Sequence, residues 1–562
     1  MSSNRIRRGK ITVLSMIALL LLLTGCQTEP AERNPDQTES RTASAPLSDS
    51  SGENTVKPAG GELTYALSTS PDSLDPHRSG IAVAGRVFRT IYDSLVAMGA
   101  DGQIKPWLAE SWDISDDGLT YTFKLREDVK FHDGTPFNAE AVKYNFDRIL
   151  DPETKARNAA AMLRSFESAE VVDDYTVRLH LKERSNAFLG YLSQAYLGIV
   201  SPTAAEEYGE DLVRHPVGTG PFKFVSWSEN TSITVERNED YKWAPGTVTN
   251  AGAPYVDRIT FHIIPEESTR IGSVQSGQVL LAESVPPQNI PALEQDADIE
   301  LYNVVTNGLP FTLFINQSRE PWNELKARQA LLYGIDVDSI VKSLYLGYYE
   351  RSWTPLTPKM LGYNKALENS FSYDPDKAAA LLDELGWNVG ADGIREKDGK
   401  KLTLHYVEIS PNREKRNDIA VMVQQQLKQI GIAVEVEITK DYRTVVFENG
   451  DYDLYGNSMV NTDPESLRSF YHSASTNVAG KQNLAGMKDP VIDQLLEAGT
   501  VEPDPEKRVQ IYEQVSQEIM DRAAVIPIFV SPYTVAASKH VTGLNFDFLG
   551  YPIFNDVVLQ GK

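Results

Sequence analysis

Leu402-Thr403-Leu404-His405-Tyr406-Val407-Glu408-Ile409 is followed by apolar residues at Ile419, Val423, Leu427 and Ile430, and then by Val434, Val436 and Ile438. The first block is short and rich in strand-forming side chains, the second recurs every three or four positions, and the third alternates. The three read as strand, helix and strand. Adjacent parallel strands require a crossover of this kind, so the segment is a βαβ unit. A further short helix before Gly450 leads to another expected strand, about Tyr452 to Asn457.

In open α/β sheets, ligands gather beyond the carboxyl ends of the strands. That rule selects the loops Ser410-Pro411-Asn412-Arg413 and Ser458-Met459-Val460-Asn461-Thr462-Asp463-Pro464-Glu465. The first runs into a helix N-terminus, whose free N–H groups and dipole favour anions, so Arg413 or Arg416 is the expected seat for a carboxylate. Asp463 or Glu465 is the expected seat for an ammonium group, and Asn412, Ser458 and Asn461 are further polar contacts from the same loops. The competing reading makes the same residues ordinary caps and surface charges.

Toward the N-terminus, Leu119, Tyr121, Phe123 and Leu125 alternate with Thr120, Thr122, Lys124 and Arg126, the mark of a half-buried strand. Tyr175, Val177, Leu179 and Leu181 repeat the pattern, which makes His180 a solvated strand residue. Asn138 is placed to cap a helix with a Val142, Phe146 and Ile149 stripe. Ala84, Val87, Phe88, Ile91 and Leu95 form another stripe. The first half is therefore also mixed α/β, and about 500 residues are more than one core usually serves.

The chain opens with Arg5, Arg7, Arg8 and Lys10, an apolar run from Ile11 to Leu23, and Thr24-Gly25-Cys26. Cys26 is the only cysteine of the 562 residues. A basic start, an apolar stretch too short for an ordinary span and a small residue before a lone thiol make residues 1–25 a lipoprotein signal peptide, with Cys26 lipidated. Two acyl chains on that thiol suffice for stable anchoring where one is marginal. Residues 26–59, poor in large apolar side chains, read as a flexible tether. Full-length net charge is −24, and −28 without the four basic residues of the signal. Such a balance excludes nucleic acid as a partner.

No Gly-x4-Gly-Lys-Ser/Thr, His-Glu-x-x-His or Gly-x-Ser-x-Gly pattern occurs, so the chain lacks the signatures of a P-loop ATPase, a zincin or an α/β-hydrolase. The eight histidines stand singly, and no protein-only metal site or cofactor is expected.

Several blocks carry a resemblance. They are Pro106-Trp107-Leu108-Ala109-Glu110-Ser111-Trp112, Asp117 to Phe123, Val129-Lys130-Phe131-His132-Asp133-Gly134, Gly218-Thr219-Gly220-Pro221-Phe222, Asn238 to Tyr241, Arg328-Gln329-Ala330-Leu331, and Tyr373-Asp374-Pro375 with Gly386-Trp387. In these the chain resembles the solute-binding proteins of ABC importers, in the class that takes oligopeptides, dipeptides, opines and nickel chelates. The resemblance implies an α/β, two-lobed periplasmic-binding-protein-like fold with mixed sheets, two crossing hinge strands and an inserted second lobe. Lobe I would be residues 60–310 plus 527–562, with an additional subdomain at about 100–230, and lobe II residues 311–526. The crossings are expected near Phe311 to Asn316 and Ile526 to Val535. Trp107 and Trp112 would be packing residues, and Gly220 would permit a tight turn before Pro221.

The resemblance also implies a monomer without enzymatic activity, lipid-anchored on the extracytoplasmic face, closing its lobes on a ligand and delivering it to permease subunits whose ATPase is a separate chain. It adds Ser68, His77 and Tyr196 as ligand contacts from the first lobe. Peptide-binding branches carry an Asp for the ligand ammonium where this chain has Val460. The nickel-chelate branch has Trp and Tyr where this chain has Ser458 and Thr462. Its metal-contacting His falls near Thr476, with His472 a neighbour, and its first-lobe arginine is absent near Gln194. A peptide or related amino-acid derivative is the expected ligand. A metal chelate or opine, a hydrolase on the same scaffold and a peptide-signal receptor are the alternatives.

Overall fold

The βαβ unit forms as its periodicity predicts. In the computed structural model, which describes residues 60–476 and 482–561, strand Thr403–Ile409 runs parallel to Ala433–Thr439 in register from Thr403 against Ala433 to Ile409 against Thr439. Helix Arg416–Gln429 connects them and buries Ile419, Val423 and Leu427 against the sheet, with Ile430 just beyond its end. The wide helical turn Arg443–Glu448 then leads to strand Leu454–Val460. The signal, Cys26 and the tether lie outside the described residues. Among the described residues no helix is long and apolar enough to cross a membrane.

Two sheets organise the molecule. A seven-stranded sheet has the order Ile299–Val305, Pro532–Ser538, Leu281–Glu283, Glu62–Leu67, Arg258–Ile263, Ser232–Arg237 and Phe222–Ser228. A six-stranded sheet has the order Glu350–Arg351, Val525–Val530, Gly308–Ile315, Leu454–Val460, Thr403–Ile409 and Ala433–Thr439. Each sheet has its own apolar core, one built around residues such as Tyr65, Phe88, Phe261 and Val535, the other around Phe311, Tyr406, Leu454 and Phe529. A separate antiparallel sheet of Ala109–Ile114, Thr120–Leu125, Thr176–Leu181 and Phe166–Asp173 shares the first core through Phe123, Val177 and Leu179. His180 lies on that sheet's outer face, its side chain 32% exposed beside Glu170.

Asn138 caps helix Ala139–Leu150 by accepting the Ala141 N–H at 2.9 Å. Helix Ala82–Ile91 buries Ala84, Val87, Phe88 and Ile91 but stops before Leu95. It stops because the Ile91 carbonyl accepts the N–H of Gly220 at 2.9 Å. A Cβ on Gly220 would stand 2.5 Å from that carbonyl carbon, so the glycine serves close approach to a helix end, with no positive φ involved. Trp107 is buried and directs its N–H at the Tyr241 hydroxyl, 3.4 Å away.

The chain passes between sheets twice, side by side. Ile299–Val305 continues as Gly308–Ile315 across Thr306-Asn307, and Val525–Val530 continues as Pro532–Ser538 across Ser531. The two paths pair antiparallel on both sides, as in Leu301 with Ala536 and Leu313 with Ile526. Thr306 Oγ1 donates to the Ser531 carbonyl at 2.7 Å between them. The first exchange thus precedes Phe311–Asn316, most of which is a central, fully buried strand whose apolar run hides where the sheet begins. At that seam Gly308 has φ +132°, and a Cβ there would meet the Met459 carbonyl oxygen at 2.1 Å. Gly308→Ala is therefore expected to cost at least about 2 kcal/mol, read as a lower urea midpoint with an unchanged slope; an unaltered midpoint would refute the strain argument.

Candidate functional site

Loop 410–415 leaves the strand end Ile409 and enters helix Arg416–Gln429 through two consecutive left-handed residues, Glu414 (φ 53°) and Lys415 (φ 56°). Non-glycine residues adopt this conformation at a cost of order 1–3 kcal/mol each, and only where the surroundings enforce it. Here Tyr345 donates its hydroxyl proton to the Glu414 carbonyl at 2.6 Å. Arg416, 2% exposed, grips the Glu414 carboxylate through Nη2 at 2.6 Å and Nε at 3.0 Å. The same guanidinium donates to Ser458 Oγ at 3.0 Å and covers the Phe311 ring at 4.4 Å. The loop is locked to the neighbouring strand end.

This arrangement turns Arg413 loose. Its guanidinium makes no hydrogen bond among the described residues, and its nearest counter-charge is Glu414 Oε1, 3.9 Å from Nε. The Arg413 side chain is 57% exposed, and Arg416, Glu414, Glu408 and Tyr455 lie within electrostatic reach of it. Burial opposes ionisation of Glu414, but Arg416 and Arg413 outweigh it and hold the carboxyl at about 2. Arg86 of the first lobe adds to that hold, which puts the loop opposite the first lobe.

From the first-lobe side, Glu283 ends its strand fully buried and accepts from Ser68 N at 2.9 Å, Ser68 Oγ at 2.6 Å, Arg86 at 2.5 Å and the Tyr533 hydroxyl at 2.8 Å. Burial would raise its carboxyl; Arg86, Ser68 and Tyr533 bring it below its usual range. Arg86 also lies over the Tyr533 ring at 4.1 Å, and its Nε is buried without a partner. Tyr196 is buried beside this group and donates its hydroxyl proton to the Ile81 carbonyl at 2.9 Å. Glu408, fully buried beneath Arg416 with Oε2 unpartnered, is pushed up to about 6 by burial.

The expected residues thus divide. Ser68, Arg413, Arg416 and Ser458 come together with Tyr196 close by, whereas Asn412 turns to the helix, taking the Asn417 N–H at 3.0 Å and donating to Asp418 at 2.9 Å. The first helical amides are likewise spent, Arg416 N on the Arg413 carbonyl at 3.0 Å, so free N–H groups do not make the anion seat expected there. His77 does not reach this space. It is fully buried in the first lobe with Nδ1 2.7 Å from Arg148 and Nε2 3.2 Å from the Gly198 carbonyl, and burial lowers it to about 4. His472 pairs with Glu497 at 3.1 Å and accepts the Ala474 N–H at 3.0 Å; no group of three or more metal-ligating side chains occurs among the described residues. Arg86, Glu283 and Glu414 escaped sequence reasoning. Applying the strand-end rule to Leu281–Glu283 as well would have found Glu283.

The loop after Ser458 makes the seam between lobes. Asp463 is held by Arg508 at 2.6 and 2.9 Å, which leaves it no free oxygen for an ammonium group. Glu465 accepts from Ser185 of the first lobe at 3.0 Å, and Asn461 accepts from Gln194 at 3.4 Å. Asn186 donates to the Thr500 and Glu502 carbonyls at 3.1 and 2.6 Å. The lobes are therefore in direct contact.

A two-lobed α/β molecule with charged groups facing each other across the lobes has the architecture of a solute-binding protein. Residues 103–481 match the bacterial extracellular solute-binding proteins, family 5, and the chain belongs to that family. It is 29% identical over 490 residues to the glutathione-binding protein GsiB of Escherichia coli, covering 86% of this chain and 91% of that one. The periplasmic binding protein DppA of Helicobacter pylori, solved with the peptide STSA, superposes with a TM-score of 0.79 at 26% identity over 90% of this chain and 99% of that one. The oligopeptide-binding protein AppA of Bacillus subtilis, solved with a nonapeptide, gives 0.79 at 25% over 90% and 100%.

Burial, and secondarily Asp463, push Glu465 up to about 7. The contact state then binds more protons than a state exposing Glu465, so it loses stability as pH rises from about 4.5 through 7. Urea melts at pH 5 and pH 8 are expected to differ by a larger amount, on the order of 2 kcal/mol, in the native chain than in Glu465→Gln. Equal pH responses would remove Glu465 as the cause.

Proposed function

We propose that the chain is the binding subunit of an ABC importer, anchored by a lipid on Cys26 and acting as a monomer, that captures a peptide or related amino-acid derivative between its lobes. The closed form is what the permease recognises, and a separate ATPase drives transport. Arg413 carries this reading: a guanidinium more than half exposed and without a hydrogen-bond partner among the described residues is available to a ligand carboxylate. The names of the relatives, with glutathione, a short peptide and a nonapeptide as ligands, support the same class. For a metal chelate, His472 would have to leave Glu497, and the family membership favours binding over hydrolysis.

Ligand that touches both lobes stabilises the closed form by its differential affinity for that form. Arg413 and Ser458 would supply second-lobe contacts, and Ser68 with the Arg86–Glu283 pair the first-lobe wall. Glutathione or tri- and tetrapeptides at about 100 Kd should add about 2.7 kcal/mol to stability and be recovered intact by mass spectrometry. Arg413→Ala should weaken the binding peptide roughly 10- to 100-fold with the ligand-free melting temperature preserved. Recovery of cleaved peptide, or an affinity indifferent to Arg413, would refute the proposal.

A further inference from the structure

We propose that Arg413 and Glu414 together seat an α-amino-acid head group, in which one ligand carbon carries both the ammonium and the carboxylate. The inference deepens the binding role proposed above and rests on it.

The two side chains are adjacent, opposite in charge and unequally engaged. Arg416 occupies Oε2 of Glu414 through both of its donors, while Oε1 receives no hydrogen bond among the described residues. Glu414 is 29% exposed, and its Oε1 lies 3.9 Å from Arg413 Nε. A ligand ammonium at Oε1 and a ligand carboxylate on the Nε edge of the Arg413 guanidinium would therefore sit close together. Ammonium and carboxylate bonded to one carbon meet that spacing. The termini of an extended dipeptide stand roughly 7 Å apart, and each added residue moves them further.

Glu283, Glu408, Asp463 and Glu465 are not available to an ammonium group. Glu283 and Glu408 are fully buried, and Glu283 already accepts four hydrogen bonds. Asp463 is held by Arg508, Glu465 accepts from Ser185 and is 9% exposed, and position 460 is valine. Among the carboxylates of the two strand-end loops, Glu414 is left as the accessible anion. The left-handed backbone at Glu414 and Lys415, fixed by Tyr345, turns this anion and its neighbouring cation toward the same water.

Peptides linked through a side-chain carboxyl keep such a head group; γ-glutamyl peptides, glutathione among them, are the simplest. In the α-linked isomer the same atoms separate the ammonium from both carboxylates. The test is calorimetric titration of the whole mature chain with γ-glutamyl-alanine and with α-glutamyl-alanine. The γ isomer is expected to bind at least about tenfold more tightly, and Glu414→Gln, checked for folding by its melting curve, to erase the preference. Equal or reversed affinities in the native chain overturn the head-group seat even if the variant does not fold, and so does a preference that survives in a folded Glu414→Gln. Binding of α-linked peptides alone would leave the transport role standing and this inference fallen. If no peptide of either linkage raises the melting temperature, both fall.

Discussion

Everything at the site depends on Arg416 being satisfied. A guanidinium almost wholly removed from water carries a desolvation penalty of several kcal/mol, and only well-placed acceptors offset it. Glu414 supplies two charge-assisted hydrogen bonds, Ser458 a third, and the Phe311 ring a further attraction. Ser458 and Phe311 belong to neighbouring strands of one sheet, so Arg416 ties the loop to the sheet's carboxyl edge. Because Arg416 takes one oxygen of Glu414, the loop must bend through two left-handed residues, and that bend is what sets Arg413 free. Three charges within one short loop thus acquire different tasks from burial alone: Arg416 builds, Glu414 both builds and faces water, and Arg413 only faces water.

The first lobe answers with the same economy of parts. Glu283, at a strand end, gathers Ser68, Arg86 and Tyr533, and Tyr533 lies two residues beyond the Ser531 seam. The wall of the interlobe space is therefore bonded directly to one of the two crossing paths. Pairing on both sides of the seams keeps the crossings together, and Thr306 to Ser531 bonds them at the point of exchange. Thr306-Asn307 and Ser531 are the points at which both paths change sheet, and the charged walls are built into the sheets on either side.

How far this was legible from sequence follows from which physical effects are local. Ile419, Val423 and Leu427, or Tyr121, Phe123 and Leu125, announce their faces because burial imposes a period. The strand-end rule carried Arg413, Arg416 and Ser458 into the right loops before any side chain was placed. It failed to separate them from Asp463 and Asn412. Asp463 is claimed by Arg508, 45 positions away, and no local pattern announces that pairing. Asn412 is used within its own helix start. Arg86 stayed hidden because either arginine of its otherwise apolar helix, Arg86 or Arg89, looks like any surface residue until Glu283 is brought against the first. The seam at Thr306-Asn307 stayed hidden because Gly308–Ile315 is buried on all sides, so its run of apolar residues has no period to break at the hinge.

The energetic scale of closure decides what a ligand must contribute. The seam joins the lobes through neutral hydrogen bonds such as Asn186 to Thr500 and Gln194 to Thr462, each worth about 0.5–1.5 kcal/mol net, and through the partly exposed Arg468–Glu183 pair at 3.5 Å, and water replaces them on opening. Such contacts hold alignment more than they hold the lobes shut. Moving a two-state equilibrium from 1:99 to 99:1 takes about 5.5 kcal/mol of differential binding. Two charge-assisted contacts, each about 1.5–3 kcal/mol, come close to that sum, and a single one does not. Only contacts that form on closure count toward it, and Arg413 and Glu414 lie on one lobe, where they hold the ligand whether the lobes are open or shut. A ligand seated on Arg413 and Glu414 must therefore draw its closing energy from the first-lobe wall of Ser68, Arg86 and Glu283.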